Sequence, residues 1–131
     1  MEPETKRLML IAATDSDQDA RKRAGMSVVF DLERAGDFEK LWLMQSDVRL
    51  ESEVRVEAGL AAIDTLLAKG KTMKLMFLRE CSPFSEVNIE IRAELVRAGL
   101  VMSRKIENAY RRMGDRVAST DRPRNIHAMR I

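Results

Sequence analysis

The chain has 131 residues, of which 45% are hydrophobic and 34% charged, and its formal net charge is +2 at neutral pH. That length suits one domain with its own core, and the apolar fraction excludes wholesale disorder. A single cysteine, Cys81, excludes an internal disulfide framework and a cysteine metal cluster.

The longest apolar run, Leu8 to Ala13, is too short to span a bilayer, and the acidic start Met1-Glu2-Pro3-Glu4 is unlike a secretory signal. A cytoplasmic location and no membrane contact are therefore expected. Nine methionines against six aromatic residues, with Leu, Val, Ile and Ala, point to helices rather than a β-sandwich.

The spacing predicts an opening helix over residues 4–13, ended by Thr14-Asp15-Ser16-Asp17. Ser16, with Asp19 three residues on, has the form of a capping box for a second helix. Ala20, Ala24, Val28, Leu32 and Ala35 give that helix its apolar face, widened by Val29 and Phe30. Gly36 can close it in the left-handed conformation, and Asp37 can cap the next.

Residues 38–69 contain no proline and read as one long central helix, with Leu41, Met44, Val48, Val56, Leu60, Ile63 and Leu67 as its stripe. At roughly 1.5 Å per residue it would span about 48 Å, which asks for other helices or a second subunit to cover it. A homodimer is expected on that ground, with Trp42 in the core or at the subunit interface. Gly70 is a natural stop.

Residues 71–81 fit a helix through Met73, Met76 and Phe77, although Leu75–Leu78 alone would suit a short strand. Ser82-Pro83 reads as an N-cap followed by proline at the first helical position. Phe84, Val87, Ile91, Leu95 and Ala98 then make one helical face, and Leu100, Met102, Ile106, Tyr110 and Met113 another, so 84–113 reads as a helix pair broken at Gly99.

The expected fold is thus an all-α bundle of four to six helices, one domain over 1–114 with a basic, loosely ordered tail over 115–131. Its expected core is Leu41, Val48, Leu60, Ile63, Leu67, Phe77, Val87, Ile91 and Leu95, and Cys81 reads as a buried structural thiol.

Charge is distributed unevenly. Arg97 to Ile131 carries nine Lys/Arg against three Asp/Glu, whereas Met1 to Val96 carries fourteen against eighteen. An acidic body joined to a basic end is a polarity suited to polyanions. Arg104, Lys105, Asn108, Arg111 and Arg112 would share one flank of a helix, extended by Arg116, Arg122, Arg124 and Arg130. Arginine and lysine neutralise phosphates, and asparagine and arginine can pair with base edges. Residues 94–113 loosely resemble a helix-turn-helix with 104–113 as recognition helix, though Gly99–Ser103 is longer than that motif's turn.

The expected function is a small non-enzymatic regulatory protein that binds nucleic acid through this basic end. The alternative is an interaction module whose basic tail docks on an acidic protein partner.

Phe30-Asp31-Leu32-Glu33-Arg34-Ala35-Gly36-Asp37 resembles the signature of PhoU, a phosphate-signalling family of helical bundles. The resemblance implies a third reading, with Glu33 and Asp37 contributing one helix face to a metal site. It requires residues 31–41 to be continuous helix. Glu86, Glu90 and Glu94, with Glu53 and Glu57, form a carboxylate ridge that reads as solvated or cation-paired. No catalytic constellation is expected, because the sole histidine, His127, lies in the tail. No cofactor or metal is assigned.

Overall fold

The computed structural model describes residues 1–100, and its regular structure is helical throughout: α1 (Pro3–Thr14), α2 (Gln18–Ala35), α3 (Phe38–Met44), α4 (Ser52–Ala68), α5 (Lys74–Leu78) and α6 (Ser85–Arg97). The all-α class read from the sequence holds for the described residues. The 114/115 boundary and the second member of the 84–113 pair lie outside the described residues.

Local chemistry fixes the first two helices. Proline enters α1 at its first turn, where its missing N–H is harmless. The cap of α2 is Asp17 rather than Ser16: its carboxylate accepts from the Asp19 amide at 3.1 Å, while Asp15 accepts from the Asp17 amide at 2.8 Å. Arg21 then braces this turn, donating to the Asp15 carbonyl at 2.7 Å and pairing with Glu51 at the start of α4 at 2.5 Å.

Gly36 closes α2 at φ 70°, and the Asp37 amide reaches back to the Leu32 carbonyl at 2.9 Å. Asp37 caps α3 by accepting from the Lys40 amide at 3.2 Å. This break corrects the PhoU-like reading: 31–41 is not one helix, so Glu33 on α2 and Asp37 ahead of α3 do not present one ligating face.

The long helix over 38–69 is likewise corrected. The chain leaves helical geometry after Met44, tightening through i→i+3 bonds from the Gln45, Ser46 and Asp47 amides. Asp47 accepts from the Arg49 amide and guanidinium at 3.1 and 2.8 Å, a local competition that helices lose to turns. The released Gln45 carbonyl accepts from Arg55 Nε at 2.8 Å, so the break is satisfied from ten residues on. Val48 sits at this turn and is 79% exposed, not core. Because α3 folds back onto α4, the length argument for a second subunit no longer applies.

Downstream, α5 is only five residues long. Leu75 takes its buried position and leaves Phe77, another expected core residue, 81% exposed. Glu80 adopts a left-handed φ of 61° in the following loop, and Cys81 is exposed there rather than buried. Helix α6 starts at Ser85, with extended Phe84 as an uncapped N-cap, so Ser82-Pro83 does not open it.

Helix α4 is the hub, packed against α2, α3, α5 and α6, while α1 lies on α2. Two apolar clusters result. One joins α1, α2, α3 and the first part of α4; the other joins Ile63 and Leu66 of α4 with Leu75, Val87, Ile91 and Leu95. Phe38 and Trp42, stacked with ring centroids 6.1 Å apart, pack against both. Of the expected core, Leu41, Ile63, Val87, Ile91 and Leu95 are buried, and Leu60 and Leu67 are half-buried.

Candidate interaction cleft

The eight residues assigned to nucleic-acid contact, Arg104, Lys105, Asn108, Arg111, Arg112, Arg116, Arg122 and Arg124, lie outside the described residues. What the described body presents is of opposite sign. A cleft of about 290 Å³ opens where α2, the start of α4 and the start of α6 converge, lined by Met26, Ser52, Glu53, Val56, Glu57, Phe84 and Glu86. Three apolar side chains form its floor and three carboxylates lie around them.

Each lining element is held from behind. Arg55 places its guanidinium 5.0 Å from the Phe84 ring centroid while donating to Gln45, tying the mouth of α6 to the α3–α4 turn. Gln45 itself is buried: its side-chain amide donates to the Trp42 carbonyl at 3.1 Å, and its Oε1 accepts from Ser82 at 2.5 Å. Ser82 in turn exchanges backbone bonds with the Asn88 side chain at 3.0 and 2.9 Å. This network ties the loop before α6 to α3 and gives a buried glutamine its required partners.

Close backbone approach completes the frame. A Cβ on Gly59 would lie 2.5 Å from Gln45 Oε1 and 2.7 Å from Val87 Cγ2, and one on Gly25 would lie 2.8 Å from the Val54 methyls. Only glycine lets α4 pass that near to its neighbours at these two points.

The carboxylates continue beyond the cleft. Glu53 pairs with Lys22 at 2.6 Å, and Glu90 and Glu94 both meet Arg97. Glu33, Glu57, Asp64 and Glu86 have no salt-bridge partner among the described residues. Partial burial holds the Glu33 carboxyl above its ordinary range, reinforced by Asp64 and Glu57. Asp64 is raised the same way, by burial and then by Glu94. These mutual effects mark one continuous negative stripe across α2, α4 and α6. Among the described residues no group of three or more His, Cys, Asp or Glu side chains is disposed to hold a metal ion.

A second recess, at the α2–α3 corner, has a mixed lining: Lys69, Lys71 and Lys74 face Asp37 and Glu39, with Phe38 and Leu66 between them. Lys69 donates to the Gly36 carbonyl, and Lys74 lies 4.7 Å from the Phe38 ring centroid. Two of its three lysines are thus engaged by the protein itself.

Comparison with protein-family models, with curated proteins and with solved structures found no match to this chain. No helix among the described residues is long and apolar enough to cross a membrane. The sequence shows the glutamates of the cleft but not Met26, Val56 or Phe84 as their common floor, nor Gln45 and Ser82 as its support. The available signal was the switch from Leu to Val and Ala along 54–62, which marks a helix crowded by neighbours.

Proposed function

We propose that the protein is a non-enzymatic helical interaction module whose cleft between α2, α4 and α6 takes a basic amphipathic segment. The observation that carries this reading is the apolar floor of Met26, Val56 and Phe84 set among Glu53, Glu57 and Glu86. Apolar side chains of an occupant would be covered on the floor while its lysines or arginines meet the carboxylates, the helix-in-groove mode of recognition. The test is fluorescence anisotropy of a labelled basic amphipathic peptide titrated with the full chain. Binding that weakens with salt, and by at least about tenfold in Glu57→Lys/Glu86→Lys, supports the reading; equal binding by both proteins refutes it.

A second reading is nucleic-acid binding through Arg104, Lys105, Asn108, Arg111, Arg112 and the arginines that follow. It is favoured by the nine cations against three carboxylates from Arg97 onward. The acidic stripe would repel a phosphate backbone, so contact would be confined to the basic end. Labelled DNA and RNA titrated at three salt concentrations check it, steep salt dependence being the expected result.

The same basic end could instead dock on an acidic protein partner. A cytoplasmic homodimer belongs to either reading: Leu43 and Val48, 67% and 79% exposed, offer apolar surface for a second copy. Sedimentation velocity at two concentrations would detect it.

A further inference from the structure

We propose that the occupant of the cleft is the chain's own basic stretch, residues 101–114, which competes there with any external partner. This rests on the reading of the cleft as a site for a basic amphipathic segment, and names its ligand. Three observations carry it.

The first is where the described chain ends. Helix α6 begins beside the cleft at Ser85 and finishes at Arg97, and Gly99 then turns the backbone at φ 72°. The Leu100 amide closes back on the Leu95 carbonyl at 3.0 Å, and Leu100 packs on the second apolar cluster. The described chain therefore ends against the body, beside α6.

Length is the second. Residues 101–113 are as many as the 13 of α6. At a helical rise of about 1.5 Å per residue they would cover some 20 Å, enough to return to the Phe84 end.

Charge complementarity is the third. In an antiparallel return Arg104 and Lys105 come level with Glu94, beside Asp64 and Glu33, and Arg111 and Arg112 come level with Glu86, beside Glu57. Met102, Ile106, Tyr110 and Met113 repeat at helical spacing and supply an apolar face for the floor. Glu33, Glu57, Asp64 and Glu86, none of which has a salt bridge among the described residues, are carboxylates this register would meet.

The experiment is trypsin cleavage of the full chain after Arg104 and Lys105, followed by mass spectrometry at low salt. Three proteins are compared: wild type, Glu57→Lys/Glu86→Lys, and the charge swap that adds Arg111→Glu/Arg112→Glu. All changed side chains in the body are exposed, and circular dichroism checks that helicity is retained. Docking predicts cleavage at least about tenfold faster in the double variant than in wild type, and recovered protection in the swap.

A labelled basic amphipathic peptide of unrelated sequence separates the two levels of the argument. It should bind Arg111→Glu/Arg112→Glu more tightly than wild type, because the internal competitor is weakened. Equal cleavage in all three proteins, with peptide binding that depends on Glu57 and Glu86, overturns the inference and leaves the cleft reading standing. Equal cleavage with no such binding removes both.

Discussion

Around α1, α2, α3 and the first part of α4 the buried residues are dominated by Ala12, Ala24, Gly25, Val28, Val29, Val54, Ala58, Ala61 and Ala62. Between the rest of α4, α5 and α6 they are Ile63, Leu66, Leu75, Val87, Ile91 and Leu95. The first region gains its stability by bringing backbones together, and the second by filling a wider space with branched side chains. One helix serves both, because the buried face of α4 carries Val54, Ala58, Gly59, Ala61 and Ala62 first and Ile63 and Leu66 after them. The lesson is that burial alone does not foretell the effect of a substitution: the first region should resist enlargement and the second truncation.

The largest expected effect comes from the second region. Ile91→Ala or Leu95→Ala removes a side chain that is 0% exposed, and should lower unfolding free energy by about 2–5 kcal/mol in urea titrations. Leu60→Ala, at a half-buried position of the same α4, should cost distinctly less. A loss at Leu60 equal to that at Leu95 would mean that something else covers α4.

Enlargement in the first region should come next. Gly25→Ala drives a methyl against Val54, at a cost of about 1–3 kcal/mol. Adding Val54→Ala should recover part of that loss, giving a non-additive double-mutant cycle. Strict additivity would contradict the close approach of α2 and α4.

Gln45→Leu probes the seam between the regions. It leaves the buried Ser82 hydroxyl without its acceptor and should cost about 1–3 kcal/mol. Pairing it with Ser82→Ala should be less damaging than the sum, because the orphaned group is gone as well.

The smallest effect is electrostatic. Glu33 and Asp64 hold protons more tightly folded than unfolded. The stability they contribute is therefore present below the unfolded carboxylate range and lost as pH rises through the folded one. Glu51 behaves oppositely: its hydrogen bond from Arg21 lowers it, so its contribution is present above that range and lost as pH falls. In high salt, where docking of the basic stretch is screened, Glu33→Gln/Asp64→Asn should remove the loss on the rising side and leave the acid side intact. An unchanged pH profile would mean that the stripe is solvated rather than mutually coupled.

Much of the fold was legible because helix ends and faces are local. Gly36, Gly70 and Gly99 all take the left-handed stop expected of them, at φ 70°, 70° and 72°. Val28 and Leu32, and Val87, Ile91 and Leu95, occupy the buried faces that their spacing assigns. The break between α3 and α4 was not legible, since it contains neither glycine nor proline. It depends on an aspartate bonding two residues ahead and an arginine reaching back ten. Ser82 does not cap α6 itself: its hydroxyl donates 37 residues back, to Gln45, and accepts from the Phe84 amide at 3.1 Å, just before the helix opens. The cleft was half legible. Its glutamates are plain in the sequence, but their neighbourhood arises from packing of α4 against α2 and α6, which no local pattern encodes.

Cys81 has a practical consequence that goes beyond packing. It is the sole thiol of the chain, it is exposed, and it lies three residues before Phe84 at the cleft floor. Maleimide chemistry can therefore attach one dye or nitroxide to the native sequence with no engineered cysteine. The reporter would stand at the entrance of α6, where the arrival or departure of an occupant alters its surroundings, making the unmodified protein its own sensor.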